Sequence, residues 1–332
     1  MVSNTSLLWQ QPDWRAESKA WIHSALEKND LQLTSEIEQP HIRPWSTVMT
    51  VPTNDGMFYF KASASVFAQE TALTAYLARY RPEIFPALLA FDLNRHWMLM
   101  RDAGMPLRHF IRAEKSIARW SDILPLYVDL QKEMAERIAH LLALGVMDRR
   151  LARLPGMFES LIADESAMLL GQEDGLTSEE YARLREAGPE FIEMCEKLAS
   201  FRIPETIHHD DFHDNNIFIQ NGNVIFTDWG ESAVTHPFFT LVVLMRGVDN
   251  SMGMDDSPES EQVCDMYLQQ WTSYASMDEL KSIVKLAQRI GYVNRALTWK
   301  MTLDDLPEEL KYEYATAVPS YLKDFINDAG SG

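Results

Sequence analysis

Short runs rich in apolar and β-prone residues mark the first hundred positions. STVMTVPT (46–53) and MFYFKAS (57–63) read as strands, and Asn54-Asp55-Gly56 lies between them. Asp-Gly tolerates the positive φ of a tight reversal, so the spacing predicts a β-hairpin. LLAFDL (88–93) and HWMLMRD (96–102) extend the same sheet, and FAQETALTAYLARY (67–80) carries helical spacing and good helix formers. A further helix is expected near 14–28.

Past Gly104 the period changes. Leu126, Leu130, Met134, Ile138, Leu141 and Leu142 recur at helical spacing, predicting one helix that Gly145 ends. Thr177 with Glu180, and Ser276 with Glu279, have capping-box spacing, and Pro189 suits a first helical turn. The one strong strand signal here is IFIQ-Asn221-Gly222-NVIFTD, another hairpin. The pattern predicts a small sheet lobe (1–103), a hinge near 100–104 and a larger helical lobe (104–332) carrying one hairpin.

Composition narrows the function. The chain has 332 residues, 46% of them hydrophobic and 24% charged, enough for a sizeable core. Its 30 basic and 49 acidic residues leave a net charge of -19, which disfavours nucleic acid and anionic membranes and suits a cationic or metal-neutralised ligand. Two cysteines, Cys195 and Cys264, cannot build a disulfide framework. With no signal-like start and no apolar run of membrane length, a cytoplasmic monomer or homodimer is expected.

Chemistry concentrates in IHHDDFHDNNIF (207–218), directly before the second hairpin. With a two-residue turn at 221 and 222, Asn216 faces Thr227, and Asp228 lies one step beyond. An amide oxygen and a carboxylate that close suit a hard cation, Mg²⁺ best, completed by phosphate oxygens and water. Asp211, five residues before Asn216, can then orient an acceptor hydroxyl and take its proton.

These residues resemble the aminoglycoside phosphotransferase family, small-molecule kinases of protein-kinase-like fold that include choline and fructosamine kinase relatives. The match comprises His209, Asp211, Asn216 and Asp228-Trp229-Gly230, with HPFFTL after them. The resemblance implies an α+β, bilobal protein-kinase-like fold in which residues 1–103 form the nucleotide-binding lobe and 104–332 the catalytic and substrate lobe. It implies ATP and Mg²⁺ as cofactors, Lys61 on the α- and β-phosphates paired with Glu70, and adenine contacts at Met100, Arg101 and Asp102. Asp211 and His209 would be catalytic, Asn216 and Asp228 metal ligands, and the acceptor a small, amine-bearing alcohol. QPHIRPWSTVMT, where a phosphate-covering loop belongs, contains no glycine, so the hydroxyls of Ser46 and Thr47 are the expected substitutes. Tyr59 shares the sheet face of Lys61 and narrows the adenine pocket.

Other readings stay open. His208, His209, Asp210, Asp211, His213 and Asp214 could form a metal-dependent phosphohydrolase site, and the chain could be a non-catalytic nucleotide binder. The acids between Asp249 and Asp265 form either a solvated face or a wall for a cationic acceptor. Trp271, Tyr274, Tyr292 and Trp299 read as packing residues.

Overall fold

The computed structural model describes residues 7–328, which divide by internal contacts into two compact units. The first takes the chain up to Met105 together with Phe218–Gly230 and Asp305–Lys311; the second takes Pro106–Ile217, Glu231–Asp304 and the chain from Tyr312 onward.

The first unit is built on an antiparallel sheet of β1 (Glu38–Arg43), β2 (Ser46–Thr53), β3 (Gly56–Ser63), β4 (Leu88–Asp92) and β5 (Trp97–Arg101), in the order β1-β2-β3-β5-β4. Alternation along β3 buries Phe58, Phe60 and Ala62, which places Tyr59 and Lys61 on the opposite face. The apolar face packs on helix α1 (Pro12–Glu27), where Trp14, Ile22 and Leu26 meet Met49, Val51, Phe60 and Leu99. Each such large side chain contributes roughly 1.5–3 kcal/mol when fully buried. Helix α2 (Gln69–Tyr80) supplies Glu70 to the Lys61 face. The expected hairpin forms at 53–56, where Thr53 Oγ1 donates to the Gly56 carbonyl (2.8 Å) and accepts from the Asp55 amide (3.1 Å).

One segment departs from expectation. The stretch read as a phosphate loop forms β1 and enters β2, and its exposed burial pattern, with Pro40 inside it, hid the strand from any test of alternation. Thr47 is fully buried, donating to the His41 carbonyl (2.8 Å) and accepting from Gln39 (2.9 Å). Its hydroxyl is therefore committed to the sheet, while Ser46 opens β2 opposite Arg43.

The second unit is mainly helical. The helix expected over 126–142 is two, Trp120–Ala135 and Ile138–Ala143, separated where Arg137 leaves helical geometry (φ -121°, ψ 16°). Both capping boxes form, with Thr177 and Glu180 bonded reciprocally and Ser276 and Glu279 likewise. The longest helix runs Met277–Asp304. A small sheet places Ala233–Thr235 between Met147–Asp148 and Thr206–His208. Its strands are too short to show alternation in sequence, yet they fix the start of the 209–216 loop and the segment following Glu231.

Cys195 and Cys264 are free and buried. Among the described residues no helix is long and apolar enough to cross a membrane.

Candidate active site

In the first unit Lys61 joins two acids. Its Nζ lies 2.5 Å from Glu70 Oε1 and 2.5 Å from Asp228 Oδ1. Ser63 Oγ donates to the other Glu70 oxygen at 2.6 Å. Burial pulls the Lys61 ammonium downward in pKa, but Asp228 and Glu70 outweigh it and hold the amine charged well above its usual range. Burial raises the Glu70 carboxyl against the pull of Lys61. The Glu70 side chain is 2% exposed and that of Asp228 50%, so only one of the two acids faces solvent. Asp228 occupies left-handed backbone (φ 65°), which aspartate tolerates better than most residues. Gln69 Nε2 bonds the Gly230 carbonyl at 2.5 Å and ties α2 to this segment. Nearby, Gly104 has φ 94° and a Cβ there would meet the Ile219 carbonyl oxygen at 2.3 Å, so only glycine fits.

The expected adenine contacts are largely engaged within this unit. The Arg101 amide donates to Ala87 O (2.9 Å) and the Asp102 amide to Met57 O (3.0 Å). Arg101 also bonds Asp55 and stacks on Phe58 at 4.9 Å, while Met100 pairs with Tyr59 in the sheet.

In the second unit the 209–216 loop turns Asp211 and Asn216 toward each other. Asn216 Nδ2 donates to both Asp211 O and Asp211 Oδ2, each at 3.0 Å, and so directs its amide oxygen elsewhere. His213 Nδ1 accepts from the Asn215 amide (3.1 Å), which places the proton of the neutral ring on Nε2, 3.3 Å from Asp211 Oδ2. Asp211 Oδ1 meets Arg295 Nη2 at 3.2 Å. Burial would raise the Asp211 carboxyl, but the His213 hydrogen bond and the charges of Arg295, His213 and His209 hold it far below the usual carboxylate range. Its side chain is 25% exposed. His209 is 1% exposed; its amide donates to Tyr127 Oη (3.3 Å) and its ring packs edge-on to Phe212.

The neighbouring acids are structural. Asp210 accepts from Asn294 (2.9 Å) and Thr298, lies 2.9 Å from His208 Nε2 and 3.5 Å from Arg149. Burial opposes its ionisation, but His208, Arg295 and Arg149 lower the carboxyl to about 2. Asp214 is fully buried against Arg108 (2.8 Å) and Ser251. These commitments dismantle the phosphohydrolase cluster, and among the described residues no group of three or more His, Cys, Asp or Glu could hold a metal. Asp249 bonds Ser257 (2.6 Å) at the start of Pro258–Gln269, and Asp265 pairs with Lys281 (2.8 Å), so the acidic run is partly spent on helix ends and ion pairs. Trp271 is fully buried, Tyr292 lies under Arg246 at 5.7 Å, and Trp299 stacks on Tyr314.

Sequence reasoning missed Arg295, Arg149 and Glu231. A usable signal existed: Asn294, Arg295 and Thr298 are polar positions among the buried Val293 and Ala296 of one long helix.

The model of the phosphotransferase enzyme family matches residues 57–280, and the chain belongs to that family. It is a phosphotransferase by family, on a protein-kinase-like α+β fold. Solved structures with this fold include an ethanolamine kinase of Plasmodium vivax (13% identity, 99% of this chain and 94% of that one, TM-score 0.65). A choline kinase of Cryptosporidium parvum matches at 10% identity over 94% and 96% with TM-score 0.62. A macrolide 2'-phosphotransferase type I matches at 12% over 92% and 97% with TM-score 0.59. No curated protein matches the chain in sequence.

Proposed function

We propose that this protein transfers the γ-phosphate of ATP, with Mg²⁺, to a hydroxyl of a small amine-bearing molecule. The observation that carries the reading is the Lys61 pairing: a charged lysine, 12% exposed, shared by a buried glutamate and a half-exposed aspartate. Lys61 is ready to exchange Asp228 for nucleotide phosphates, while Glu70 keeps it in place. Asp228 and the amide oxygen of Asn216 would hold the metal, a donor pair suited to a hard ion that keeps phosphate and water in its shell. The metal would neutralise charge on the transferred phosphoryl group.

Asp211 receives the acceptor. Ionised and turned by its three partners, it would accept a hydrogen bond from the hydroxyl and take its proton as the new O–P bond forms. Catalysis would rest on position and charge more than on covalent chemistry. The ethanolamine and choline kinases among the structural neighbours, and the net charge of -19, support a cationic acceptor. A cytoplasmic setting suits an ATP-using enzyme with two free thiols.

The test is a screen of ethanolamine, choline, homoserine, aminoglycosides, macrolides and fructosamine-like amines for acceptor-stimulated ADP release. One amino alcohol should raise ADP production well above the acceptor-free rate. Phosphate release that no acceptor changes would point to a hydrolase and end the reading.

A further inference from the structure

Arg295 projects from Met277–Asp304 with a side chain only 7% exposed, and its two terminal nitrogens serve different acids. Nη2 is 3.2 Å from Asp211 Oδ1; Nη1 bonds Glu231 Oε2 and lies 3.7 Å from Asp210 Oδ2. Asp210 is already served by His208, Asn294, Thr298 and Arg149. A guanidinium taken out of water is costly unless paired, and here the pairing acids are the partly exposed Asp211 and Glu231. Asp211 is thereby gripped on both oxygens: Oδ1 by Arg295, Oδ2 by Asn216 and His213. A planar fork fixes an orientation that a single ammonium cannot.

We infer that Arg295 is the positioning residue of Asp211, locking the plane of its carboxylate, and that Glu231 holds the guanidinium in register from the other nitrogen. The inference rests on the proposed role of Asp211, but its geometry is independent of which acceptor is used.

Two measurements test it on the full chain. A crystal structure of Arg295→Met reads the orientation of the Asp211 carboxylate without any turnover. In the wild type that carboxylate is held on both oxygens, so it should rotate out of its plane once Oδ1 loses its partner, while the backbone of 209–216 stays in place. In steady-state assays Arg295→Met should lose about 10²-fold in kcat with KM for ATP unchanged, the cost of a misplaced reacting group. Arg295→Lys should recover part of both, and Glu231→Gln should lose less than Arg295→Met. Should Arg295→Met fail to fold, Arg295→Lys and Glu231→Gln give the same readings in milder form. A wild-type Asp211 orientation and a wild-type kcat in these variants would overturn the inference. If no acceptor supports turnover in the wild type, the proposed function fails, while the orientation of the Asp211 carboxylate in the crystal still decides the positioning claim.

Discussion

The two charged clusters are built on opposite plans. Around Lys61 one cation is shared by two acids, and the outer acid, Asp228, is half exposed. Around Asp211 two arginines, Arg149 and Arg295, meet three acids, Asp210, Asp211 and Glu231, in a network with histidine and threonine partners. The first arrangement can exchange a partner at small cost, since Asp228 returns to water when Lys61 leaves it. The second cannot at small cost, because both arginines and Asp210 are held out of water and depend on their partners there. Exchange suits the nucleotide binding proposed for Lys61, and rigidity suits the hydroxyl-orienting role proposed for Asp211.

Substitutions test that division. Asp211→Ala should cut acceptor-dependent ADP release by about 10²–10⁴-fold, the usual share of general-base catalysis, while calorimetry finds ATP affinity nearly unchanged. A variant that binds ATP poorly and keeps its turnover would invert the roles of the two clusters. Asp228→Ala should do the reverse, weakening Mg-dependent nucleotide binding by about 1.5–3 kcal/mol, roughly 10- to 150-fold, with little change in metal-free titrations.

Acidity separates the clusters as well. Asp210 has its carboxyl lowered from 3.8 to about 2, so the folded state binds fewer protons than the unfolded state across that range. Its stabilisation is complete above pH 3.8 and disappears as pH falls to about 2, a loss of about 2 kcal/mol. Urea titrations should show that acid slope flattened in Asp210→Asn. Lys61 has its value raised, so its contribution is complete below 10.5 and is lost as pH climbs through the folded value. Lys61→Met should flatten the alkaline limb and leave the acid limb intact. The smallest effect belongs to a position outside both clusters: Thr177→Ala, which deletes the cap of Ser178–Glu186, should cost about 1 kcal/mol in thermal unfolding without touching turnover.

The first cluster was far more legible in the sequence than the second. Lys61 stands on an alternating strand, Glu70 nine residues later on a helix, and Asp228 follows an Asn-Gly hairpin, so local periodicities mark all three. Asp211 and Asn216 were legible from their spacing in one loop. Arg295 and Glu231 were not, because they are separated by 64 residues and meet only once the long helix has packed on the segment around Pro237–Phe239. The strand before β2 was not legible for another reason: Pro40 and an exposed pattern without regular alternation hid it, although Gln39, His41 and Thr47 satisfy one another across the strand pair.

Burial of both thiols has a practical side. Cys195 and Cys264 are pushed up to about 12 by their apolar surroundings, which leaves almost no thiolate at neutral pH. The protein should tolerate air and alkylating reagents, and a cysteine introduced at the exposed Tyr312 would be labelled against a silent background. Fluorescent reporters can therefore be attached at chosen points without first stripping the molecule of its own sulfur.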